Sequence, residues 1–202
     1  MYEFTNSWFR NTARFNWDNL VPQINPTRIL EIGSYEGAAT CYLIERLGNV
    51  KELDITCIDT WEGSNEHKRM SVDMGEVEAR FDANINYACN KVTFKPKITK
   101  IKGFSDIELM KMSLGDKRDY FDFIYVDGSH ATFDVLTDGV LAFKLLKIDG
   151  VLVFDDYNWA APGMKNMDDY PKLAIDAFTT CLSNKIVLIQ TINSQIFVQR
   201  IV

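Results

Sequence analysis

Apolar positions along this chain alternate between two periods. Short β-rich runs stand at Arg28-Ile-Leu-Glu-Ile-Gly33, Leu53-Asp-Ile-Thr-Cys-Ile58 and Phe121-Asp-Phe-Ile-Tyr-Val126, each the length of a buried strand. Between them, apolar or small groups recur at helical spacing, first at Thr40, Leu43, Ile44 and Leu47, then at Met74, Val77, Phe81, Ile85 and Ala88. Residues 97–103 predict a third strand and 104–112 a short helix. A helix over 131–146, capped by Gly150, leads into a strand over 151–154. A last helix through Ala174, Ala177, Phe178 and Cys181 precedes two β-rich runs, 185–192 and 195–202. Asn193-Ser194 between them predicts an antiparallel hairpin. Strand–helix alternation of this kind builds an α/β domain, a seven-stranded and mostly parallel sheet with helices on both faces.

Residues 1–27 stand apart from this rhythm. They are aromatic-rich (Trp8, Phe9, Phe15, Trp17) and closed by Pro22 and Pro26, which predicts a helical arm laid against a domain spanning 28–202. Trp8, Phe9 and Trp17 could form a lid, but packing onto the sheet is the better expectation, and the arm could also embrace a second subunit. No basic n-region followed by an apolar run opens the chain, and no stretch approaches ~18 apolar residues. A cytoplasmic protein without a membrane span is expected.

Composition narrows the partners. Of 202 residues, 47% are hydrophobic, enough for one core without a disulfide or metal staple. The 22 basic and 28 acidic residues give a net charge of −6 without any block of Lys and Arg, which disfavours nucleic acid. The four cysteines (Cys41, Cys57, Cys89, Cys181) form no C-x-x-C and read as buried thiols in a reducing compartment.

In a parallel sheet the ligand binds beyond the carboxyl ends of the strands, so those positions are where chemistry is sought. After the first strand comes Glu31-Ile-Gly33-Ser-Tyr-Glu-Gly37, a turn that lets backbone approach a ligand at a helix N-terminus. It lacks the middle glycine of a dinucleotide fingerprint, and Glu36 would sit badly beside a pyrophosphate. Asp59 ends the second strand, 26 residues past Gly33, where a carboxylate can accept both hydroxyls of a ribose. Gly103-Phe104-Ser105 follows the third strand, with Ser105 equally readable as a helix N-cap. Asp127-Gly128-Ser129-His130 ends the fourth strand and Asp155-Asp156-Tyr157 the fifth. One helix and one strand separate the two turns, so Asp127, Asp155 and Asp156 land on the same rim; neither turn carries a Lys or Arg, and the acids repel unless one is protonated or a cation is bound. Hard oxygen donors with room for water suit Mg²⁺.

This ordered set resembles the class I S-adenosylmethionine-dependent methyltransferases over about residues 28–202, and implies their Rossmann-like fold. The resemblance implies that the turn from Glu31 through Gly33, Ser34, Tyr35 and Gly37 holds the methionine portion of S-adenosyl-L-methionine. It implies that Asp59, with Thr60 and Trp61, meets the ribose side and that Gly103, Phe104 and Ser105 meet the adenine. The second half resembles the divalent-metal O-methyltransferases of the catechol type and, more closely, the sugar O-methyltransferases of macrolide biosynthesis. That likeness implies Asp127, Asp155 and Asp156 as ligands of Mg²⁺ or another divalent cation, with His130 as general base. Asp127 would also face the cofactor. The catechol type carries Asp-Asn at the second acid site and a lysine where His130 stands, so an aromatic diol is not the favoured acceptor. Ile58-Asp-Thr-Trp-Glu-Gly63 also resembles the sugar branch, with Trp61 as a pocket wall. His67 lies in a polar loop and reads as solvated.

The reading is therefore a methyltransferase acting on a hydroxyl of a small molecule. The alternatives are a metal-free small-molecule methyltransferase, a non-catalytic cofactor-binding protein and, least favoured, an NAD-dependent oxidoreductase. Some proteins of this fold with a D-G-S-H turn carry hydroxylase assignments. The segments expected to choose the acceptor are the arm, the 60–75 loop and 158–169, where Trp159, Met164 and Met167 suggest an apolar wall.

Overall fold

The computed structural model describes residues 1–160, 168–192 and 194–202; Met164, Met167 and Asn193 lie outside them. The strands are β1 (Arg28–Ile32), β2 (Asp54–Asp59), β3 (Lys97–Lys102), β4 (Phe121–Val126), β5 (Leu146–Phe154), β6 (Ile186–Ile189) and β7 (Ile196–Arg200). They form one sheet in the order β3-β2-β1-β4-β5-β7-β6. The first five run parallel, whereas β7 is antiparallel to both β5 and β6.

Strand periodicity decides which side chain faces which helix layer. Ile29, Phe123, Tyr125 and Val153 point to one face, where α2 (Arg14–Ile24), α3 (Ala38–Leu47) and α5 (Met74–Cys89) cover them. Leu30, Ile32, Ile124, Leu152 and Phe154 point to the other face, beneath α6 (Ser105–Leu114), α7 (Thr132–Leu145) and α8 (Pro171–Cys181). Two short helices, α1 (Trp8–Asn11) and α4 (Asn65–Arg69), complete the described elements. The second was not legible, because its stretch is polar throughout. No helix among the described residues is long and apolar enough to cross a membrane.

The arm belongs to the core. Trp17 is fully buried, with its ring 4.8 Å from Tyr125 and 5.4 Å from Phe123 in edge-to-face contacts, and Phe9 closes over it at 5.0 Å. Val21 and Ala13 are buried beside it. The packing expectation therefore holds for Phe9 and Trp17, while Trp8 stays half exposed against Tyr35 at 5.5 Å.

Two expected boundaries move. Gly150 does not cap the helix before it. The helix ends at Leu145, Leu146 is already extended, and Gly150 lies within β5. Between the pairs Phe121↔Leu146 and Phe123↔Val151 the register shifts, and Asp149 takes a left-handed φ of 64° there. The chain thus reverses through a bulge on the strand rather than a glycine stop on the helix. The C-terminal hairpin is present, but its strands stop at Ile189 and begin again at Ile196. The connection is longer than two residues and is braced by the Thr191 hydroxyl on the Gln195 carbonyl at 2.7 Å.

Candidate active site

The strand order reverses between β1 and β4, and a cleft opens at such a point because the crossover helices leave in opposite directions. Here the two turns are fused. Gly33 N–H donates to the Ile58 carbonyl at 2.9 Å and Asp127 N–H to the Ile32 carbonyl at 2.8 Å. Gly33 has φ +84°, and a Cβ on it would lie 2.1 Å from the Asp127 carbonyl oxygen. Only glycine fits there.

On the β1–β2 side the carboxylates are provided for. Asp59 accepts the Tyr35 amide on Oδ2 at 2.9 Å and the Trp61 amide on Oδ1 at 2.7 Å, which pins the turns after β1 and β2 to each other. Each oxygen keeps a lone pair for a further donor. Tyr35 and Trp61 both adopt positive φ (46° and 47°), and Gly37, with φ +79°, opens α3. Glu31 points under the turn rather than into the cleft. It is buried and accepts the Thr40 hydroxyl, and burial pushes its carboxyl up to about 7. The Ser34 hydroxyl is also buried, beside the Glu31 carboxyl, whose ionised form it favours. The Trp61 indole is 3% exposed. It packs on Phe81 at 5.0 Å and donates to the Tyr35 carbonyl at 3.0 Å, so it is a core residue and not a pocket wall.

Glu36 has a role that its sequence context did not disclose. It is buried, accepts Arg80 Nε at 2.6 Å, and takes the Thr5 amide and hydroxyl at 2.8 Å each. The Glu3 amide donates to Asn84 at 2.7 Å, and Asn84 donates to the Glu36 carbonyl at 3.0 Å. These bonds tie the N-terminal segment, at Glu3 and Thr5, to the glycine turn. His67 is half-buried rather than solvated, stacked 5.2 Å from Tyr35 with Nδ1 2.9 Å from the Ser64 hydroxyl. At the β3 end, Phe104 rather than Ser105 is the N-cap, and it is well exposed; the Ser105 hydroxyl acts on Asp138, a buried acid on α7.

The β4–β5 side is different. Tyr125 Oη contacts Asp127 Oδ2 at 2.9 Å and also Asp155 Oδ2. A phenol has one proton to donate, so both contacts are satisfied together only if one carboxyl is itself protonated or a cation joins them. Burial, then the facing Asp155 and Asp156, raise Asp127 well above the usual carboxylate range. Burial and Asp156 raise Asp155. No Lys or Arg of the described residues forms an ion pair with any of the three acids. Asp156, at φ 57°, turns toward His130, with Oδ2 2.8 Å from Nε2. Trp159 lies 4.0 Å from the His130 ring.

The structure thus gathers Asp127 and Asp155 on one hydroxyl and pairs Asp156 with His130. Among the described residues, no three acid, histidine or cysteine side chains converge as a ready cage. The donor set still fits a hard cation, since Mg²⁺ is commonly held by one or two carboxylates and otherwise by water. A separate cavity of about 520 Å³ between α7 and α8, lined by Leu136, Val140, Phe143 and Phe178, sits toward the opposite end of the strands from these groups.

A glycine turn fused to an acid-bearing turn at the switch point, within this strand order, defines a class I methyltransferase fold. The chain belongs to the methyltransferase domain family, whose model matches residues 30–157. A caffeoyl-CoA O-methyltransferase from Populus kitakamiensis is 26% identical over 150 residues, covering 74% of this chain. The chain spans 55% of that relative's length. Among solved structures, an O-methyltransferase from Bacillus cereus in complex with SAH superposes with a TM-score of 0.62 at 16% identity, covering 100% of this chain and 83% of that one. The O-methyltransferase TomG from Streptomyces achromogenes, solved with SAM and involved in tomaymycin synthesis, gives 0.61 at 18%, covering 91% and 77%. These structural likenesses establish the fold.

Proposed function

We propose that this protein transfers the methyl group of S-adenosyl-L-methionine to a hydroxyl of a small molecule with the help of a divalent cation. The observation that carries the reading is the pair Asp127–Asp155 sharing one phenol, beside the His130–Asp156 pair, on the rim next to the Gly33 turn. Family membership and the SAM- and SAH-bound structural neighbours support the cofactor.

In this reading the Gly33–Gly37 turn and the first turn of α3 receive the methionine end, since unpaired N–H groups at a helix start favour a carboxylate. Asp59 keeps acceptor capacity for the ribose hydroxyls while its amide bonds hold it still. Phe104 and Ser105 flank the adenine. Asp127 and Asp155 would hold Mg²⁺, and the ion would supply Lewis acidity that lowers the pKa of the acceptor hydroxyl. His130 takes the hydroxyl proton as the oxygen gains the methyl group, and Asp156 stabilises the resulting imidazolium. Trp159, packed on His130, walls the acceptor side. A sugar hydroxyl is the acceptor class that the D-G-S-H turn favours.

The metal-free reading has one observation in its favour, because Asp156 is engaged by His130 instead of joining the other two acids. The test is calorimetric titration of S-adenosylhomocysteine, with NAD as control, followed by a methyl-transfer screen of hydroxyl compounds with Mg²⁺ or EDTA. Binding of the first ligand alone and turnover abolished by EDTA are expected. Turnover unaffected by EDTA would establish the metal-free reading, and no binding of S-adenosylhomocysteine would overturn the proposal.

A further inference from the structure

A chain of buried polar groups leads away from the acid pair into the N-terminal segment. Asp155 Oδ2 accepts Gln195 Nε2 at 3.1 Å, and Gln195 Oε1 accepts Asn16 Nδ2 at 3.3 Å. Asn16 closes the chain on one backbone unit, donating to the Ile192 carbonyl at 2.7 Å and accepting the Ile192 amide at 3.1 Å. Gln195 is 0% exposed and Asn16 4%.

The direction of this chain is not arbitrary. The Ile192 backbone offers one donor and one acceptor, so it dictates which end of the Asn16 amide is oxygen. Asn16 Nδ2 then faces Gln195 Oε1, and the Gln195 NH₂ is left pointing at Asp155. The receiving atom must be an acceptor, which a carboxylate oxygen is. Asp155 therefore takes three donors: Tyr125 Oη and Gln195 Nε2 on Oδ2, and the Asp156 amide on Oδ1 at 2.8 Å. Its remaining acceptor capacity is on Oδ1. Apolar side chains of the same size would fill these positions without needing any partner. The arm grips the same group from a second direction, because Trp17, next to Asn16, packs on the Tyr125 ring.

We propose that Asn16 and Gln195 are positioning residues for Asp155, so that the N-terminal segment shapes cation binding at the rim. The inference rests on the metal-assisted reading for its readout. The test titrates Mn²⁺ into full-length wild type, Gln195→Met and Asn16→Leu, following free Mn²⁺ by paramagnetic resonance, with S-adenosylhomocysteine binding measured on the same samples. Outer-shell partners of metal ligands are worth roughly 10–100-fold in affinity. Gln195→Met should lose Mn²⁺ affinity within that range and Asn16→Leu less, with S-adenosylhomocysteine affinity unchanged in both. Mn²⁺ affinity equal to wild type in Gln195→Met, or a parallel loss of both ligands, would overturn the positioning role. If wild type takes up no Mn²⁺, it is the metal reading that fails. The positioning role is then decided by the ¹³C carboxyl resonance of Asp155, assigned through its loss in Asp155→Asn. A resonance displaced in both variants while that of Asp59 stays put supports the role, and an unmoved one overturns it.

Discussion

The two halves of the rim treat negative charge in opposite ways. On the β1–β2 side, Asp59 takes two backbone amides, and Glu36 takes Arg80 together with both donors of Thr5. Each carboxylate there ties one segment of chain to another. On the β4–β5 side, Asp127 and Asp155 divide a single phenol, and Asp156 has a histidine. Buried acids without a fixed cation hold protons or recruit a cation. The difference teaches that the first half uses Asp59 and Glu36 to hold the chain together, whereas the second leaves Asp127 and Asp155 without a Lys or Arg partner among the described residues.

Asp155→Ala attacks the second half alone and should have the largest effect. Metal-dependent methyl transfer should fall by at least about 100-fold, with S-adenosylhomocysteine binding nearly intact by calorimetry; loss of both would mean that the acid serves the fold. Gly33→Ala attacks the seam between the halves. With a Cβ 2.1 Å from a backbone oxygen at φ +84°, it should cost more than about 3 kcal/mol in urea unfolding, and a fully stable variant would mean that the turns are not fused.

The first half has one unsettled member, Glu31. Its carboxyl is raised from 4.5 to about 7 by burial, so the folded protein holds a proton that the unfolded chain releases. That contribution to stability is complete below about pH 4.5 and is lost as pH rises through 7. Relative to Glu31→Gln, wild type should therefore lose up to about 3 kcal/mol between pH 4.5 and 8. Parallel stability curves for the two proteins would contradict this. Arg80→Ala, which leaves Glu36 buried with only Thr5, should cost about 2 kcal/mol and loosen residues 3–5 to amide exchange. Arg80 is 17% exposed, so the loss should be smaller than for a fully buried pair, and unchanged exchange at Thr5 would sink the clamp.

The strands could be read from the sequence because Ile29, Leu30 and Ile32, or Phe123, Ile124 and Val126, fill both faces of a parallel sheet. The glycine turn and the acids at the strand ends were legible for the same topological reason. What the sequence hid is pairing across distance. Glu36 looked like a misfit in a phosphate loop, since nothing nearby announces Arg80 or Thr5 as its partners. Tyr125 could have been found: it precedes Asp127 by two positions, and that spacing on a strand puts both on one face. Gln195 and Asn16 could not, because their meeting depends on where the hairpin and the arm come to rest. Trp61 was misplaced for a local reason. Its left-handed backbone turns the indole back under the Tyr35 turn, onto Phe81.

The central claim is that the β4–β5 half is completed by a cation. It is tested most directly by titrating Mg²⁺ into the protein saturated with S-adenosylhomocysteine, in wild type and in Asp155→Asn. The account predicts one Mg²⁺ bound per wild-type chain and none in the variant, with S-adenosylhomocysteine held equally by both. Saturable cofactor binding with no Mg²⁺ uptake by wild type would contradict it.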